Sequence, residues 1–208
     1  MSPTVAIINY GMGNLRSVEK ALERVGAEAT MTSDRAEIEA ADGLVLPGVG
    51  AFPRAMERIE ELGLEGPIAA AAERRAPILG VCLGMQLLFE RSSEGSGADG
   101  LGLLPGRVER IEAPGLKLPH IGWSPLRMRR GSEITASIDD GEPFYFVHSF
   151  AARPHGKDLI ATATYGGEVP AVVGRDRVFG AQFHPEKSSM AGLRMLGNFV
   201  GLCAGVPA

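Results

Sequence analysis

A cysteine set between two glycines, in Gly80-Val81-Cys82-Leu83-Gly84, is the residue of this sequence best placed to do covalent chemistry. The apolar run Pro77-Ile78-Leu79-Gly80-Val81 before it has strand character, and Met85-Gln86-Leu87-Leu88-Phe89-Glu90 after it has helical character. Glycines on both sides of a nucleophile permit a strained strand-to-helix turn that pushes the side chain out. The sulfur then sits at the positive end of a helix, which favours the thiolate, the reactive form. A lone cysteine is otherwise a small packing residue. The glycine pair and the strand–turn–helix setting mark this one as a nucleophile.

A cysteine nucleophile needs a base and a group that orients the base. The histidines are His120, His148, His155 and His184. His184 stands at the end of the apolar run Val178-Phe179-Gly180-Ala181-Gln182-Phe183, Pro185 stiffens the turn after it, and Glu186 lies two residues on. One rigid turn can therefore set a carboxylate against the imidazole, giving Cys82, His184 and Glu186 the roles of nucleophile, base and orienter. His-Pro-Glu alone reads equally as an exposed turn; the elbow is what gives it weight. Acyl chemistry also needs donors for an oxyanion. The Leu83 amide is one by the elbow geometry. The loop Gly48-Val49-Gly50 can supply another, because glycines let a peptide N–H turn toward a ligand. Each such donor is worth about 3 kcal/mol of transition-state stabilisation.

These residues must be held by a sheet. Val5–Ile8, Ala27–Met31, Gly43–Leu46 and Pro77–Val81 read as strands. Asn14–Val25, Phe52–Leu62 and Leu64–Arg75 have helical spacing between them. After the polar, glycine-rich stretch Ser92–Gly100 the pattern changes to short strands: Arg107–Ile111, Phe144–Val147, Leu159–Thr164, Ala171–Val173 and Val178–Phe183. A helix over Ser188–Leu202 closes the chain. Alternating β and α, then β hairpins, then a helix implies an α/β fold. Its open sheet would be mixed, mostly parallel and flanked by helices, with an antiparallel extension. Ligands in such folds sit beyond the carboxyl ends of the strands, where Pro47–Gly50 and Cys82 both fall.

The chain has 208 residues, so a single domain over 1–208 is expected. A net charge of −4 offers little to nucleic acid, and the one basic cluster, Arg127-Met128-Arg129-Arg130, reads as a solvated strand end. Two cysteines far apart form neither a metal motif nor a disulfide framework. No metal or other cofactor is expected. The amino terminus has no signal-peptide pattern and no run is long enough for a membrane span, which makes the cytoplasm the default expectation. Gly11-Met12-Gly13-Asn14 is a poor dinucleotide fingerprint, since Arg16 replaces the third glycine, and reads as a tight turn into a helix. Four segments look unusual for packing alone, although each by itself is more often structural. They are Pro119–Trp123, which holds the only tryptophan, Tyr145–Phe150, Lys187-Ser188, and Glu94.

The elbow, the loop Pro47–Gly50 and Gln182-Phe183-His184-Pro185-Glu186 together resemble the class I (triad) glutamine amidotransferases. Within that class, Ile8–Ser17, Leu46–Phe52, Pro119–Trp123, Tyr145–Ser149 and His184–Ser188 resemble the glutaminase subunits of imidazole glycerol phosphate synthase. The similarity runs from about residue 5 to about residue 202 and departs at Asn9 and Phe150, where Asp and Tyr are common. The resemblance implies the flavodoxin-like amidotransferase fold and a Cys82 thioester formed from glutamine. It implies oxyanion donors at Gly50 and Leu83, and a glutamine pocket lined by Gln86, Glu94, Ser149 and Phe150. It further implies a heterodimer with a separate (β/α)₈ cyclase subunit that receives the ammonia, with Asn14, Trp123 and Lys187 at the interface. Low activity alone and stimulation by the partner follow, with the Gly48–Gly50 peptide as a switch. Three other readings stay open: a glutaminase serving another synthase, a cysteine hydrolase on a related fold, and a non-catalytic binding protein.

Overall fold

A computed structural model describes residues 2–205. The first half alternates as the sequence leads one to expect. In order come β1 (Thr4–Ile8), α1 (Leu15–Arg24), β2 (Glu28–Thr32), α2 (Arg35–Ala40), β3 (Gly43–Gly48), α3 (Phe52–Glu61), α4 (Glu65–Glu73), β4 (Ile78–Cys82) and α5 (Leu83–Leu87). The short helix α2 has no counterpart in the sequence reading. Its signal is local: the Asp34 carboxylate caps it by accepting from the amides of Ala36 and Glu37.

Then follow β5 (Phe89–Ser92), β6 (Ala98–Asp99), β7 (Leu104–Arg110), β8 (His120–Pro125), β9 (Arg127–Met128), β10 (Pro143–His148), β11 (Phe150–Pro154), β12 (Leu159–Thr164), β13 (Glu168–Arg175), β14 (Val178–Ala181) and α6 (Ser189–Cys203). The helical run expected over Met85–Glu90 is corrected here. The helix ends at Leu87, and Phe89–Ser92 leaves as a strand that pairs in parallel with β7. A short apolar run satisfies either element, and the long-range pairing decides.

The main sheet has the order β2-β1-β3-β4-β14-β13-β12-β9. β2 through β14 run parallel, and β13, β12 and β9 add antiparallel. The parallel strands are apolar and buried on both faces, as β1, β3 and β4 show, because helices cover both sides. One core layer packs α1 and α6 on the sheet through Val18, Leu22, Met195, Leu196 and Phe199. The other packs α2, α3 and α4 through Ile38, Met56, Ile59 and Ile68. The remaining strands form a four-stranded sheet, β11-β7-β5-β6, and a two-stranded ribbon, β10-β8. Both stand at the carboxyl-terminal rim of β3 and β4. The basic cluster lies on the edge strand β9 and just beyond it. There Arg127 pairs with Asp140, Arg129 with Glu168, and Arg130 donates to the Gly174 carbonyl, as expected for a solvated strand end.

Candidate active site

Cys82 is the last residue of β4 and carries φ 54°, ψ −111°, a conformation that costs a non-glycine residue energy. What holds it there is the close approach of α5 to the sheet. A Cβ on Gly84 would lie 1.7 Å from the Leu46 carbonyl oxygen, and one on Gly80 would lie 2.6 Å from the Gly84 oxygen. Only glycine fits at either place, so the elbow is enforced by steric exclusion on both sides. Cys82 is 6% exposed, with its sulfur 3.6 Å from the Val147 carbonyl and 3.9 Å from the Gln182 side-chain amide.

His184 follows β14, the parallel neighbour of β4, so its arrival beside Cys82 is a consequence of strand order. Its turn is tied down from the side by β10. The His184 amide donates to the Tyr145 carbonyl at 2.9 Å. The Tyr145 amide donates to Ser188 Oγ at 3.0 Å, and that hydroxyl donates to the His184 carbonyl at 2.7 Å. Pro185–Lys187 form one 3₁₀ turn, and it brings Glu186 Oε1 to 2.8 Å from His184 Nδ1. The Glu186 side chain is 2% exposed. Burial pulls the imidazole down, but the adjoining Cys82 and the hydrogen-bonded Glu186 outweigh this, lifting it from 6.5 to about 9. The ring is therefore an imidazolium at neutral pH, beside the Cys82 sulfur.

A cavity of about 300 Å³ opens in front of this pair. It is lined by Val49, Gly50, Cys82, Leu83, Gln86, Glu94, Pro119, Val147, His148, Ser149, Phe150, His184 and Lys187. The structure thus brings all three triad candidates' neighbours together: both oxyanion candidates and all four pocket candidates border one space, and Glu186 stands behind His184. Gln86 is fixed by donating to the Phe150 carbonyl at 2.9 Å and to Gln182 Oε1 at 3.1 Å. The Gly48–Gly50 loop begins in the strand rather than past it, since β3 runs through Gly48. Beneath it, buried Tyr10 donates to the Pro47 carbonyl at 2.7 Å, and burial with the nearby Cys82 charge pushes its phenol up. The turn after β1 packs on the same loop, with Met12 lying against Gly50. Asn9 Oδ1 accepts from the Gly11 amide at 3.1 Å, a bond that an Asp carboxylate would also make.

The interface candidates are all exposed. Asn14 is the residue before α1, Lys187 borders the cavity mouth, and Trp123 is 51% exposed on the outer face of the β8–β10 ribbon beside Ile121 at 58%. Trp123 meets Tyr145 edge-on, with ring centroids 6.0 Å apart.

The inner face of that ribbon carries residues that sequence reasoning did not connect. His148 Nδ1 is 2.8 Å from the Phe150 carbonyl, His120 Nδ1 is 3.1 Å from His148 Nε2, and His120 Nε2 is 2.8 Å from Ser124 Oγ. A carbonyl only accepts, so His148 bears its proton on Nδ1. His120 must then donate through Nδ1, and Ser124 donates to His120. Burial pushes both rings from 6.5 down to about 4, so both are neutral. The alternation of His120 and Ser124 with Ile121 and Trp123 along a strand was the available signal, but it is legible only once β8 is known to be a strand.

Among the described residues, no cluster of three or more His, Cys, Asp or Glu side chains is suited to a metal ion, and no helix is long and apolar enough to cross a membrane. The arrangement can perform acyl transfer from a small carbonyl substrate: a sulfur presented by a strained elbow, an acid–base imidazole held by a carboxylate, and amides beside an open pocket.

A model of the family described as glutamine amidotransferase class-I matches residues 6–202. The imidazole glycerol phosphate synthase subunit HisH of Geobacillus kaustophilus (strain HTA426) is 49% identical over 209 residues, covering 97% of this chain and 98% of its own. The subunit of the same name from Moorella thermoacetica is 50% identical over 196 residues, covering 94% of this chain and 93% of its own. The structure of PurLQS from Thermotoga maritima superposes with a TM-score of 0.75 at 22% identity, covering 97% of this chain and 99% of that one, a likeness of fold.

Proposed function

Since the chain belongs to the class-I glutamine amidotransferase family, and within it to the HisH subunits of imidazole glycerol phosphate synthase, we propose that Cys82, His184 and Glu186 are the triad of its glutaminase reaction. The observation that carries this reading is the meeting of a positive-φ cysteine with a carboxylate-held imidazolium at the mouth of one cavity.

The Cys82 thiolate attacks the side-chain carboxamide carbon of glutamine. The oxyanion that forms is met by the Leu83 and Gly50 amides. The C–N bond breaks as the His184 imidazolium gives its proton to the departing nitrogen, leaving ammonia and a thioester. With the sulfur acylated, one of the two groups that raise the His184 pKa has lost its charge. The ring then falls back toward the range of a base. It takes a proton from water, the hydroxide adds to the thioester, the C–S bond breaks, and glutamate leaves with Cys82 again a thiolate. Glu186 keeps the imidazole in one orientation throughout. Gln86, Glu94, Ser149 and Phe150 hold the substrate.

The ammonia goes to a partner. That partner is a (β/α)₈ cyclase subunit, which makes imidazole glycerol phosphate and an aminoimidazole carboxamide ribonucleotide, in a cytoplasmic heterodimer that engages neither nucleic acid nor membrane. Asn14, Trp123 and Lys187 belong to the docking face, around the turn that carries His184. Glutamate release by this chain, alone and with such a cyclase and its nucleotide ligand, tests the reading. Strong stimulation by the pair is expected; activity indifferent to the cyclase would detach the chain from that synthase, and silence in both conditions would leave only a binding protein.

A further inference from the structure

The first amide of α3 has its partner 42 residues away: the Phe52 N–H donates to Glu94 Oε2 at 2.8 Å. The helix has no cap of its own. Ala51 precedes it with no side chain that can accept, and Pro53 in its first turn has no N–H. The carboxylate therefore satisfies an orphan donor and faces the positive end of the helix. Glu94 is itself fixed, its amide donating to Ser92 Oγ at 3.1 Å and its carbonyl accepting from the Gly97 amide at 2.9 Å. Phe52 is fully buried, and a Cβ on Gly100 would come within 3.0 Å of its ring, so the start of α3 is clamped onto the β5–β6 hairpin.

Phe52 is two residues from Gly50, and Glu94 and Gly50 border the same cavity. Glu94 thus borders the ligand space and holds the far end of the loop that must aim an amide at the reacting carbonyl. We propose that Glu94 is a positioning residue for the oxyanion loop, acting through the Phe52 amide, in addition to contacting substrate. Filling the pocket with an α-ammonium group draws on the same carboxylate that fixes the loop, so the site senses the amino-acid end of its substrate while aligning the amide end. The inference rests on the glutaminase reading.

Two variants separate the roles. Glu94→Gln keeps an oxygen for the Phe52 amide and removes the charge that an ammonium needs; Glu94→Ala removes both. In the complex with the cyclase, both variants raise KM for glutamine. The Gln variant keeps kcat within about 3-fold, whereas the Ala variant loses roughly 10-fold or more, a fraction of the 10²–10³ that outright loss of an oxyanion donor costs. Alkylation of Cys82 by iodoacetamide, a displacement that forms no oxyanion, is the second readout, and across the two variants it does not fall in step with kcat. Equal kcat in the two variants overturns the proposal. So does an alkylation rate that falls in step with kcat, because the elbow and not the loop has then moved. Absence of glutamate release by the wild-type complex overturns the glutaminase reading itself, and this inference with it.

Discussion

Acidification to pH 5 should weaken this fold through two histidines on the inner face of the ribbon. His120 and His148 ionise at about 4 when folded and at the ordinary 6.5 when unfolded. A depressed histidine pKa means that the unfolded chain binds more protons in that window. Its stability contribution is complete above pH 6.5 and is lost as pH falls toward 4. Between pH 7 and pH 5 each histidine costs about 2 kcal/mol by linkage. His184 works in the opposite sense. Its folded value of about 9 lies above 6.5, so its contribution is complete below pH 6.5 and lost as pH rises through 9. Over the same acid interval it returns about 1 kcal/mol. The net loss is about 3 kcal/mol, a large share of the roughly 5–15 kcal/mol that a domain has. Urea unfolding followed by circular dichroism at the two pH values measures it. His120→Phe supplies the control, because the ring is stacked between Phe146 and Tyr165, with centroids 4.9 and 4.1 Å away, and phenylalanine keeps both contacts. That variant starts less stable, having stranded His148 Nε2, but loses about 2 kcal/mol less on acidification. A wild-type loss under about 1 kcal/mol, or a His120→Phe loss as steep as the wild type's, would refute the reasoning.

Three further outcomes follow from the site. Gly84→Ala drives a methyl into the Leu46 carbonyl, so it should lower stability by about 1–3 kcal/mol and abolish glutamate release, as denaturation and assay of the same preparation would show. Glu186→Gln keeps the volume but removes the charge held against His184 Nδ1, and kcat should fall by about 10²-fold or more; a variant within threefold of wild type would remove Glu186 from its orienting role. Trp123→Ala deletes the largest exposed side chain of the ribbon and should weaken cyclase binding by about 2 kcal/mol, roughly 30-fold in Kd, measured by titration calorimetry, with the basal alkylation of Cys82 unmoved.

The geometry of the candidate site was legible in the sequence because it is written locally. The elbow needs five consecutive residues, and His184, Pro185 and Glu186 are contiguous, so neither depends on knowing the tertiary fold. The parallel core was legible for a similar reason: fully apolar runs such as Gly43–Leu46 and Ile78–Val81 have few other homes. What escaped depends on pairing across distance. Phe89 looks helical until Leu104 claims it as a parallel partner. His120 and His148 look like isolated polar residues until β8 and β10 place them opposite each other. Glu94 has no sequence mark of its contact with Phe52, because helix capping from 42 residues away has no spacing rule. Cys203 is partly buried in α6, and burial pushes its thiol up to about 12.

The central claim is that a glutamyl group passes through the sulfur of Cys82. The complex with the cyclase and its nucleotide ligand, mixed with glutamine and quenched in acid within the first turnovers, should yield a Cys82-containing peptide heavier by one glutamyl group. The adduct should be absent from Cys82→Ala and scarce in a His184 variant, which can neither protonate the departing nitrogen nor activate water. A wild-type complex that releases glutamate while Cys82 stays unmodified at every quench time, or a Cys82→Ala complex that still hydrolyses glutamine, would contradict the account.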